Sequence, residues 1–130
     1  MVSTDDSGLY YCNFKRFHLI GLELGLSVGS VGIRNEATGA SQEFRSDVVA
    51  VSKKDLKAGE VLDGEGGYCV AGQLRTTRVS VPMRALPLGL TGDIKLVRDV
   101  PVDTILTYDD VEIDESLNAV KLRRACEAKV

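Results

Sequence analysis

The chain of 130 residues contains no tryptophan, one histidine, three cysteines and three prolines. With His18 alone, no multi-histidine metal site or imidazole relay can form within one chain. Cys12, Cys69 and Cys126 are odd in number and widely spaced, without a C-x-x-C pair, which is the pattern of reduced thiols. Basic residues never run beyond two in a row, and sixteen of them against nineteen acidic ones leave a formal charge of −3. Binding along nucleic acid needs a clustered basic field, so no nucleic-acid partner is expected. Residues 19–33 form the longest apolar stretch, but it carries Glu23 and is shorter than the roughly 20 residues of a membrane span, so no membrane partner is expected either. The polar, acidic opening segment lacks the basic and apolar regions of a secretory signal, which points to a cytoplasmic location.

What is present is ordinary for a soluble domain: 44% hydrophobic and 27% charged residues, a balance that argues against both disorder and a fibrous repeat. A chain of this length can bury roughly two thirds of its unfolded surface without staples, yet it is too short for a nucleotide-binding domain plus a separate substrate domain. Three segments are legible. Residues 1–46 form a lead-in and a helix over 18–34, where Leu19, Leu22, Leu26 and Ile33 recur at helical spacing. Glycine in a helix interior costs about 1 kcal/mol against alanine, so Gly21, Gly25 and Gly29, four residues apart, predict a smooth face meant to be covered. The alternative is a kinked helix or a loop with strand character.

Residues 47–114 read as β, with strands at 48–51, 68–71, 75–81, 94–97 and 111–113 separated by Gly, Pro and Asp. Residues 115–130 read as a final helix, with Glu115 near its start and Arg123 and Arg124 later. The expected fold class is therefore mainly β, with short irregular strands between two helices. An internal echo supports the β unit. DLKAGEVLD (55–63) aligns without gaps on DVPVDTILT (99–107), an offset of 44 from Asp55 to Asp99. Each copy reads as a strand end, a turn in which Gly59 or Asp103 takes a left-handed backbone, and a buried pair, Val61/Leu62 or Ile105/Leu106.

Segments 48–67 (VVAVSKKDLKAGEVLDGEGG) and 95–113 (KLVRDVPVDTILTYDDVEI) resemble the SAF domain, a β-clip fold found in type III antifreeze proteins and sialic acid synthases. FHLIGLE (17–23), ATG (37–39) and LDGEGGYCVAG (62–72) bring the resemblance closer to the SAF-containing C-terminal region of homoserine-dehydrogenase-like NAD(P)-dependent oxidoreductases, the deoxyxylulose phosphate reductoisomerase-like subgroup. The second copy departs from the pattern, with Asp103 where that family has glycine, and no Rossmann glycine fingerprint is present. The resemblance implies a structural module for dimerisation or domain docking, not catalytic alone. Its partner would be a catalytic domain or a second copy. NAD(P) would belong to the longer enzyme, and no cofactor to this chain alone. The alternative is a free-standing SAF-type binding module for a carbohydrate or sugar acid.

Four motifs invite chemical readings. GLSVG (25–29) matches a nucleophile elbow, but Ser27 falls inside the expected helix and no hydrolase sheet fits this length. Lys15, Arg16 and His18 can surround an anion near the start of that helix, with Glu23 as a partner or as plain surface. The resemblance puts these four at the edge of the longer enzymes' substrate site; without it, His18 reads as a core-packed helix-start residue. In DGEGG (63–67), Gly64, Gly66 and Gly67 supply turn conformations, while Asp63 and Glu65 bond local N–H groups. A dinucleotide loop would need glycine at Cys69, and a calcium loop needs more oxygen ligands. LPLGL (86–90) is either a core-crossing stretch or an interface built on Leu86 and Leu88. No catalytic and no metal-binding residues are assigned.

Overall fold

A computed structural model describes residues 2–8, 11–14, 21 and 24–130, which divide into two compact units, Met1–Ser41 and Gln42–Val130. In the first unit, strands β1 (Val2–Thr4) and β2 (Tyr11–Asn13) pair antiparallel, and helix α1 spans Leu24–Arg34. The expected helix over 18–34 is therefore described only from Leu24. Gly21 lies before it with a φ of 88°, its carbonyl accepting the N–H of Leu24. The predicted three-glycine face thus loses its first member to a left-handed turn.

In the second unit, β3 (Ser46–Ser52) runs antiparallel to β5 (Val70–Thr76) in unbroken register, and β4 (Val61–Asp63) runs antiparallel to β6 (Gly92–Lys95). A helical turn α2 (Thr77–Ser80) follows β5, and α3 (Asn118–Glu127) ends the unit. Short strands in small antiparallel sheets, with an N-terminal and a C-terminal helix, are thus as expected. Helix and strand are about evenly represented among the described residues, so the composition is mixed. The β-branched run expected as one strand over 75–81 divides at Thr77, whose N–H bonds Arg45 O while its hydroxyl bonds Phe44 O at 2.9 Å. These bonds curl the chain into α2 in spite of strand-favouring side chains, a case of tertiary context overriding propensity.

The two copies of the repeat pair with each other. Leu56 and Val100 exchange both backbone bonds, at 2.8 and 3.0 Å. Four further bonds donated by backbone N–H groups of the turns form two pairs related by the same 44-residue offset. Gly59 N–H reaches Leu96 O at 2.8 Å as Asp103 N–H reaches Ser52 O at 2.9 Å. Ala58 N–H donates to Asp99 Oδ1 at 2.8 Å as Val102 N–H donates to Asp55 Oδ1 at 2.9 Å. Each aspartate thus caps the turn of the opposite copy, and the unit has a local two-fold pattern. Gly59 and Asp103 both hold positive φ, 85° and 58°. Of the expected buried pairs, only Leu62 and Leu106 enter the core, at 0% exposure, while Val61 is 52% exposed. Extended chain alternates its faces, so neighbours cannot both point inward. Leu56, Leu62, Leu86, Leu96, Val100 and Leu106 form the heart of this core.

α3 is docked by ion pairs. Arg123 straddles the Asp47 carboxylate, with Nη1 at 2.9 Å from Oδ1, and also bonds Glu127 at 2.7 Å, all three side chains being largely buried. Tyr108 Oη donates to Glu127 at 2.8 Å, and the Arg124 guanidinium lies 3.7 Å over the Tyr108 ring. Burial and the bond to Glu127 push the Tyr108 phenol up to about 12.

Candidate functional site

Of the residues singled out by sequence, Lys15, Arg16, His18 and Glu23 lie outside the described residues. Gly25 and Gly29 do lie on α1, and a side chain added at either would meet nothing within 4 Å. Around this helix Ser27, Ser30 and Arg34 make one polar stripe, with Arg34 Nη2 donating to Ser30 Oγ at 2.7 Å. At helical spacing Gly25, Gly29 and Gly32 fall opposite that stripe. Leu24, Val28 and Val31 flank the glycines on one side, and Leu26 and Ile33 on the other. All five apolar side chains are exposed, Ile33 by 86%. The result is a glycine groove between two apolar ridges, a shape into which another helix packs closely. Ser27 sits within this helix, not at a strand-to-helix elbow.

The DGEGG segment forms a tight turn. Gly64 and Gly66 hold positive φ, and the Asp63 carboxylate accepts the N–H groups of Tyr68 and Cys69. Those two bonds hold Asp63 down at about 2. A Cβ at Gly67 would lie 2.2 Å from the Asp63 carboxyl carbon, so only glycine fits beneath it. Burial and the neighbouring Asp63 push the Cys69 thiol up, which leaves it protonated and a poor nucleophile. Leu86 is fully buried and Leu88 packs partly against the core, so LPLGL crosses the core and Leu86 presents nothing to a partner.

The second unit also holds a cavity of about 710 Å³, absent from the sequence-based expectations, lined by Phe44, Arg45, Thr77, Arg78, Lys129 and their neighbours. Arg45 is tied to Glu43 at 2.5 Å, whereas Arg78 and Lys129 make no ion pair among the described residues. The arrangement can attract an anionic group beside an aromatic wall. No local signal marks it, because its walls come from three stretches far apart in the chain.

Among the described residues no cluster of His, Cys, Asp and Glu could hold a metal ion, and no helix is long and apolar enough to cross a membrane. No protein-family model matches the chain, and no curated protein matches it.

Proposed function

We propose that the chain is a β-clip assembly module, the non-catalytic C-terminal part of an NAD(P)-dependent oxidoreductase of the kind its sequence resembles, which docks a catalytic domain or a second copy. The observation that carries this reading is α1. A helix bearing two exposed apolar ridges on either side of open glycines is poorly stabilised in water and well shaped to pack on another helix. The reciprocal capping of the doubled motif supports the β-clip assignment, since it relates the two repeats as halves of one unit. NAD(P) belongs to the catalytic portion.

Light scattering across a concentration series tests the reading. The chain is expected to associate above its 14.0 kDa mass, and Gly25→Leu, which fills the groove, to weaken that association. A chain that stays at 14.0 kDa at every concentration, with a Gly25→Leu variant that behaves identically, overturns assembly through α1.

The cavity favours a second reading, a binding module for a carbohydrate or sugar acid. Its Phe44 wall, with Arg78 and Lys129 free of ion pairs among the described residues, suits a carboxylate-bearing sugar. Calorimetric titration with gluconate checks this: heat that disappears in Arg78→Glu supports it, and no heat with the unmodified chain sinks it.

A further inference from the structure

The β3–β5 ribbon has one edge already used and one edge open. Ala50 and Ser52 direct their backbone groups away from β5, Ala50 to Leu86 and Leu106 and Ser52 to Thr104 and Asp103. Antiparallel pairing alternates, so Val49 and Val51 bond Gln73 and Ala71, and Gly72, Leu74 and Thr76 aim their N–H and C=O groups outward. No backbone partner meets these outward groups among the described residues; the Leu74 carbonyl receives only the guanidinium of its neighbour Arg75, at 3.2 Å. Residues 71–74 are all exposed. Native edges are blunted by charged side chains, proline or a bulge; β5 has no proline and no bulge, and its one charged residue is Arg75.

We infer that this edge pairs antiparallel with the same edge of a second copy, about a two-fold axis at Leu74. The inference rests on the assembly reading above and adds a second surface to it. The choice of a second copy follows from self-complementarity. Pairing Leu74 with its own counterpart sets Thr76 opposite Gly72 and Arg75 opposite Gln73, each twice. On one face the row Val48–Leu74 of one copy, 46% and 68% exposed, continues into Leu74–Val48 of the other across four strands. On the other face each Arg75 guanidinium donates to a Gln73 amide oxygen. The outward backbone groups of both edges are satisfied by one another. A ribbon this short buries little area, so the dimer is weak and concentration-dependent.

The test combines light scattering with residue-resolved amide exchange on the full chain. The mass is expected to rise toward twice 14.0 kDa with concentration, and the Gly72 and Leu74 amides to slow as it rises. Leu74→Lys, which places two ammonium groups at the axis, should shift dimerisation to at least tenfold higher concentration. Met83→Lys, an exposed position off the edge, should leave it unchanged. A dimer that Gly25→Leu breaks and Leu74→Lys spares, with Gly72 and Leu74 amides exchanging freely, overturns this inference and leaves assembly through α1 standing. A chain monomeric at all concentrations, with those amides free, overturns both.

Discussion

The two units of the chain use apolar residues in opposite ways. In residues 42–130 the large aliphatic side chains at the centre of the doubled motif are sealed, Leu62 and Leu106 at 0% exposure, and their turns are capped by aspartates from the opposite copy. In α1 the aliphatic side chains face outward and only Ser30 is buried. A sealed core specifies a fold by itself, whereas an apolar helix without cover draws its order from whatever it packs on. The β unit therefore holds the sealed core, and α1 presents its aliphatic side chains to solvent.

The sharpest way to break this contrast is to truncate one large aliphatic side chain on each side of it. Leu62→Ala removes a fully buried side chain and should cost about 4 kcal/mol in denaturant melts, against about 0.5 kcal/mol or less for Ile33→Ala. Equal losses would mean that α1 is packed as firmly as the core. Next in size is Asp47→Ala, which leaves the largely buried Arg123 guanidinium with Glu127 as its remaining ion-pair partner among the described residues, and should cost about 3 kcal/mol.

Titration sharpens the comparison further through groups of the β unit. For Glu127, burial works to raise the carboxyl, but the bonds from Arg123, Tyr108 and Arg124 outweigh it and hold it below its usual range. Asp110 behaves alike, burial being outweighed by Arg98 and by Thr107. Asp63 is held at about 2. Unfolded carboxylates take up protons near pH ~4, so these contributions are present at neutral pH. They are lost as pH falls from about 4 through about 2, and acid melts should show stability declining over that window. Tyr108, raised to about 12, favours the neutral phenol in the folded state, so its contribution is lost as pH rises above 10.0. The smallest effect concerns the two-fold pattern. Asp55→Asn and Asp99→Asn should each cost about 1 kcal/mol, with Asp99 the larger because it also pairs with Lys57 at 2.8 Å. A wide gap between them beyond that ion pair would show that the two halves are not equivalent.

The repeat was legible in the sequence because its two copies align without gaps and because Gly59 and Asp103 stand where a turn needs a left-handed residue. The pairing of one copy with the other was not, since strand partners are chosen by the core and not by local pattern. Asp55 and Asp99 were visible only as matched letters; their capping of opposite turns is a long-range bond. The strand expected across 75–81 followed β-branched propensity, which cannot register the bonds that Arg45 and Phe44 make with Thr77. The glycine periodicity pointed to the α1 groove but included Gly21, whose positive φ is invisible to spacing. The cavity beside Phe44 and the open edge of β5 left no periodic trace, because each depends on what the rest of the fold leaves uncovered.

The most direct test of the account is residue-resolved hydrogen exchange of the full chain at low and high concentration. It predicts that the Leu56, Leu96 and Leu106 amides exchange only through global unfolding at both concentrations. The α1 amides should exchange rapidly when dilute and slow as the chain associates. An α1 as protected as the core at every concentration would show that the helix needs no partner, and would contradict the division of labour between the two units.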